Sequence, residues 1–282
     1  MRQGRLSVRA VRSAGVLVGL WAALAACPAF AQSAGATCEA GDVAAVAGIA
    51  TAGVVGGVAG AVPVERAVAQ TCKPWPYDPA IRLAAIAFSD DAGTAPGERQ
   101  LELRVAMLDA SSGKVLAFYA QDMGEDAAFE LDADSLRLDT ARYDLAKGVR
   151  AVGVVVHSAA RGPSCPDFYS NQALTLLMRE GRSLRPVLQR DLHAWQRVKG
   201  EPCSSGKGGV VTETAKVVVG MASQAHAGHA DIVLAANVVT TETAPGSDTD
   251  TERTRRVRQV LRYDGKRYVP VAGGETGWPF DN

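Results

Sequence analysis

Apolar and polar residues alternating with period two, glycine-containing turn signals between such runs, and an export-type leader together predict a mainly β exported protein. The expected architecture is a set of antiparallel hairpin repeats forming an irregular propeller-like or sandwich domain, with a short Ala/Gly-rich N-terminal segment. Three stretches are distinguished: residues 1–31 as a signal peptide, residues 32–79 as an Ala/Gly/Val-rich segment with a proline joint, and residues 80–282 as the β-rich domain.

The leader carries Arg2, Arg5, Arg9 and Arg12 without an acid, then an apolar run from Val16 to about Ala26, then Ala29-Phe30-Ala31 before Gln32. A basic start, a short apolar core and an A-x-A site are the parts of a secretory signal. The apolar run is shorter than the roughly 20 residues that span a bilayer. Leu24-Ala25-Ala26-Cys27 resembles the lipobox of bacterial lipoproteins, so two fates are open. Cleavage after Ala31 releases a soluble periplasmic or secreted protein. Acylation of Cys27 yields a membrane-anchored lipoprotein, and only that route attaches the chain to a membrane.

The chain has 30 acidic and 30 basic residues, and the leader would remove four arginines, leaving a net charge of about −4. That balance argues against a nucleic-acid partner, which needs a basic surplus or stripe. The dense basic run Arg253, Arg255, Arg256 and Arg258 follows Asp248, Asp250 and Glu252, so it reads as a solvated strand edge. Cys38, Cys72, Cys165 and Cys203 form an even set in an exported chain and read as two disulfides. Of the three possible pairings, Cys38–Cys72 with Cys165–Cys203 is preferred, because near neighbours meet at lower entropic cost. No C-x-x-C pair is present to suggest zinc.

Residues 43–64 carry no charge and are dominated by Ala, Gly and Val. They read either as a membrane-associating helix or as an irregular segment lying against the domain, and a Cys38–Cys72 bond would exclude a straight spanning helix. Pro74, Pro76 and Pro79 mark a boundary. Beyond it, Leu101, Leu103, Val105 and Met107 alternate with Glu102 and Arg104 as a half-buried strand, and Ser111-Ser112-Gly113 turns the chain into residues 115–119. A second unit joins residues 149–156, a loop holding Cys165, and residues 174–178, which turn at Glu180-Gly181 into 184–188. A third joins residues 216–220, a loop, 232–239, a polar Thr-rich loop, and 257–263, which turn at Asp264-Gly265 into 267–271.

His229-Ala230-Asp231-Ile232-Val233-Leu234 is similar to FG-GAP-type propeller blades, in which an aspartate precedes a short apolar strand. The likeness covers a few residues per unit and lacks the family's calcium loop of alternating aspartates ending in glycine. From about Cys72 onward the chain resembles uncharacterised exported proteins of proteobacteria, a resemblance that carries no activity with it.

Few motifs point to chemistry. His226, His229 and Asp231 are the metal candidate, set in a turn between strand-like flanks. Ser111-x-x-Lys114 and Ser204-x-x-Lys207 match a serine–lysine pattern without its companion motifs. Gly200 to Gly208 departs from a phosphate loop in spacing and lacks its Ser or Thr. The carboxylate sets Glu130, Asp132, Asp134 and Asp248, Asp250, Glu252 lack the turn glycine of a calcium loop. No cofactor is expected. The sequence therefore reads as a periplasmic or envelope-associated protein with a non-catalytic binding or structural role, its partner an envelope protein or glycan. The alternatives are a periplasmic hydrolase recruiting His157, His193, His226 and His229, or a lipid-anchored envelope assembly protein.

Overall fold

The computed structural model describes residues 37–50, 60–91, 93–201, 203, 208–247, 249–271 and 278–279. The chain partitions between Ser33 and Ala34, and all of these residues belong to the second unit. The expected leader, its cleavage site and Cys27 lie outside the described residues.

The protein is mainly β. After α1 (Ala40–Ala47) and a 3-10 turn at Val64–Arg66 come β1 (Ala67–Pro74), β2 (Ile81–Ser89), β3 (Gln100–Asp109) and β4 (Val115–Gly124). These are followed by β5 (Leu136–Asp139), β6 (Asp144–Ala146), β7 (Val149–Arg150), β8 (Val152–Val156) and β9 (Phe168–Glu180). The last five strands are β10 (Ser183–Lys199), β11 (Val210–His226), β12 (His229–Thr243), β13 (Asp250–Tyr263) and β14 (Tyr268–Pro270). Twelve strands join in one sheet of order β1-β2-β3-β4-β10-β11-β12-β13-β14, with β5-β8-β9 branching from β10, while β6 and β7 form a separate ribbon. Pairing is antiparallel except for one parallel contact, Ser183 of β10 with Phe118 of β4. The sheet is continuous across the three expected units, and the described strands do not close into a propeller.

The hairpin signals at Ser112-Gly113, Glu180-Gly181 and Asp264-Gly265 each turn paired strands where expected. Two expected loops are instead strand. β11 and β12 run on to His226 and from His229, joined by Ala227-Gly228 with φ of 50° and 78°. Positive φ at both central positions gives a turn whose twist matches the strands it joins. The Thr-rich stretch continues β12 to Thr243 and starts β13 at Asp250, so that Thr243 Oγ1 donates to Asp250 Oδ1 at 2.6 Å.

The proline joint is a connection between paired strands. Lys73 and Pro74 still pair with Leu83 and Arg82, and Trp75 N donates to Ile81 O at 2.9 Å. The sheet therefore begins at Ala67 rather than at residue 80, because prolines at the end of an edge strand remove no interior ladder bond.

Strand β3 departs furthest from the sequence reading. Leu101, Leu103, Val105 and Met107 do face one core, with residues of β5, β8 and β9. The other face, carrying Glu102, Arg104, Ala106 and Leu108, is buried too. It is covered by α1 and its flanks, whose Val46, Ala47, Ile49 and Val62 pack on Ala84, Ile86 and Phe88 of β2. The described part of the Ala/Gly-rich segment thus lies against the sheet. No helix among the described residues is long and apolar enough to cross a membrane.

Arg104 organises that cover. Its Nη1 donates to the carbonyls of Val46, Ala47 and Ile49 at 3.2, 2.9 and 3.0 Å, and Nη2 donates to Gly60 O at 3.0 Å and Glu102 Oε2 at 2.8 Å. The carbonyls at the end of a helix carry partial negative charge and lack intrahelical donors, so a cation placed there satisfies both needs. Two further ties hold the start of α1. Arg82 bonds Asp42 and Glu39, and the Cys38–Cys72 disulfide joins the residue before that turn to β1. Cys165 and Cys203 form the second disulfide.

Removing one member of a buried pair strands the other charge, a loss of about 3–5 kcal/mol. Urea denaturation of Arg104→Met is expected to show a loss of that size. A change below about 1 kcal/mol would mean the guanidinium is not what holds the cover.

Candidate functional site

The sheet divides at one place. β4 pairs with β3 over its whole length, but with β10 only at Phe118. β10 pairs with β9 along one edge, while β11 joins its other edge only from His193 onward. Between these points, residues 119–124 of β4 and 184–192 of β10 each leave one backbone edge without a strand partner among the described residues. The two strands start parallel at the Phe118–Ser183 contact and then diverge around a cavity of about 560 Å³.

Its walls carry Gln121, Asp122 and Met123 from β4 and Gln189 and Asp191 from β10. Leu103, Phe129, Val156 and Leu174 supply apolar lining from β3, the loop after β4, β8 and β9. Val217 and Trp278 lie on the β11 side, where Trp278 also packs against Ala215, Ala236 and Val238. At the other end of the unpaired stretch β9 is irregular. Gln172 has φ of 59°, and the neighbouring Asn171 Oδ1 accepts from Ser158 N at 2.8 Å and from Gln172 N at 2.7 Å. This kink falls beside His193, where β10 acquires β11 as a neighbour.

Phe129 is positioned by an ion pair behind it. Arg99 Nη2 and Nε donate to Glu125 Oε1 and Oε2 at 2.7 and 2.8 Å, and Arg99 Nη2 also reaches Leu131 O at 2.6 Å. Leu131 N and Gly97 N donate to the two Glu125 oxygens at 2.8 and 2.9 Å. Burial alone would raise the Glu125 carboxyl, but these bonds and the Arg99 charge outweigh it and hold it below the ordinary glutamate value. The result is a fixed loop, 125–131, closing one end of the cleft.

The metal candidates separate. His226 Nδ1 lies 2.9 Å from Asp231 Oδ1, and Asp231 is buried, with Arg262 Nε at 3.6 Å from its other oxygen. His229 instead stacks on Tyr263 with ring centroids 4.1 Å apart. Among the described residues no three His, Cys, Asp or Glu side chains gather to hold a metal ion.

The four histidines do not converge either. His157 follows β8 and is exposed, and His193 meets Tyr169 edge-on at 6.1 Å. None of the four lines the cleft, and among the described residues the His226–Asp231 pair has no serine or cysteine bonded to it. Ser111 and Ser112 both donate to Asp109 Oδ1, at 2.6 and 2.7 Å, in a turn. Those hydroxyls hold the Asp109 carboxyl down at about 2. Asp132 likewise accepts from Ser135 and from Asp134 N, as a turn residue. Ser204, Lys207 and Asp248 lie outside the described residues.

The cleft has no counterpart in the motif reading, because it is made by two strand edges parting rather than by a local pattern. The nearest signal is the apolar run 174–178 beside the polar 189–191. No protein family, curated protein or solved structure matches the chain.

Glu125 binds its proton less readily folded than unfolded, so its contribution is full above the unfolded value and is lost as pH falls through the folded one. Denaturation midpoints measured downward from about pH 5 should fall through the range below about pH 4. The fall should be shallower in Glu125→Gln, and an unchanged slope in that variant would remove Glu125 from the account.

Proposed function

We propose that this chain is an exported, envelope-associated protein with a non-catalytic binding role, and that the cleft between β4 and β10 receives an extended polypeptide segment of its partner. In this reading the β domain is sandwich-like, with β1–β4 facing β5, β8 and β9 across a shared core. The observation that carries the binding assignment is the pair of unpartnered strand edges flanking an apolar-lined cavity. Such edges offer backbone donors and acceptors in the spacing that an added strand uses, while alternate side chains enter the cavity. Export is supported by the leader pattern and by the two disulfides, which persist in oxidising compartments. A hydrolase is the weaker reading because its histidines are dispersed away from the cavity.

Selection of displayed peptides against the protein tests this. Recovered sequences should be extended and alternating, and methylation of alternate backbone amides should abolish their binding. Asp122→Trp with Gln189→Trp, two exposed wall positions, should block the cleft and reduce binding by about tenfold or more, since several hydrogen bonds of about 1 kcal/mol each are displaced. Peptide binding indifferent to both changes would place the site elsewhere.

A further inference from the structure

The arginine-rich run that looked self-neutralising in sequence is sorted by the sheet. Successive residues of a strand face opposite sides, so β13 sends Arg253 and Arg255 to one face and Arg256 and Arg258 to the other. On the first face Arg255 pairs with Glu213 of β11 at 3.2 Å. On the second, register aligns Lys216 of β11, Asn237 of β12 and Arg256 of β13 in one row, and Val218, Ala235 and Arg258 in the next. Lys216 and Arg256 are exposed and form no ion pair among the described residues. With strands about 4.8 Å apart, their Cα atoms stand about 10 Å apart across the sheet.

The acids of the neighbouring strands lie away from them, with Asp191 of β10 lining the cleft. Asp231 is buried beside Arg262 and His226, and Glu252 lies beyond Thr254 at the far end of β13. His193, on the β10 side of Lys216, has its pKa lowered by burial and by the Lys216 charge. The centre of the face has a low profile. Gly220 and Ala235 are exposed, and Val218 is 65% exposed. Half-buried Trp195 and Tyr169, paired across β10 and β9, flank it.

We propose that this face of β11–β12–β13 docks onto an anionic lipid surface, independently of any acylation of Cys27. Cations are drawn to the headgroup phosphates, and an exposed apolar side chain with Trp and Tyr at the margin suits the interface between headgroup and hydrocarbon. A soluble polyanion would use the charges but has no use for Val218. Among the described residues this face lines no part of the cleft between β4 and β10, so nothing there encloses a chain.

The test is sedimentation of the envelope-recovered protein with vesicles of phosphatidylcholine alone or with phosphatidylglycerol added. Binding is expected only to the second, weakening as salt is raised. Lys216→Gln and Arg256→Gln should each weaken it about fivefold and the double variant about 25-fold. Arg253→Gln, on the opposite face, should leave it unchanged. Equal binding to both vesicles, or a double variant that binds normally, overturns the proposal. Tight retention on dextran sulfate with none on anionic vesicles overturns it in favour of a soluble polyanion.

Discussion

The guanidinium of Arg104 is buried between a strand and a helix too short to hold itself in place. α1 is eight residues long, shorter than helices that persist alone in water. At its end Val46 O accepts from Ile49 N and Ala47 O from Val62 N, and each oxygen keeps a second lone pair for a further donor. Arg104 adds donors to Val46 O and Ala47 O, to Ile49 O just beyond the helix and to Gly60 O on the returning chain, while Glu102 balances its charge. Small residues make this possible. Ala84, Ala106 and Ala47 leave room for a large side chain, and Phe88 lies with its ring centre 5.7 Å from the guanidinium carbon.

Two consequences reach the rest of the sheet. With α1 on one face and β5, β8 and β9 on the other, β2 and β3 are packed on both sides and form the most buried part of the molecule. β4 is held to them through β3, which fixes the wall of the cleft, while Arg99 and Glu125 fix its end. Beyond the cleft, β11 to β13 form a long ribbon with one face covered by Trp278 and a small apolar cluster, and the other exposed. A rigid doubly covered arm, a split, and an extended exposed arm are thus one arrangement, and both proposed surfaces lie at or beyond the split.

The local grammar of the fold was readable. Turn glycines located the hairpins because the required backbone conformation depends on neighbouring residues alone, and the near-neighbour rule selected both disulfides. Burial on the polar side of β3 was not readable. Glu102 and Arg104 in alternation look like a solvated face, and only the returning N-terminal segment, more than forty residues away in sequence, makes them a buried pair. The cleft was hidden for a related reason, since strands parting at Phe118 and Ser183 depend on long-range pairing. In β13, composition suggested cancellation of charge, but the period of two separates the arginines that composition averages. His226 and His229 show the converse, because closeness in sequence placed them on a hairpin without aiming them at one point.

Amide hydrogen exchange on Arg104→Met, with both disulfides intact, separates the role of this side chain from that of the cross-link beside it. If Arg104 anchors the cover, the amides of α1 lose protection while those at the centres of β11 and β12 keep theirs. If α1 remains as protected as in the unaltered protein, the disulfide and apolar contacts suffice, and the fold does not depend on Arg104.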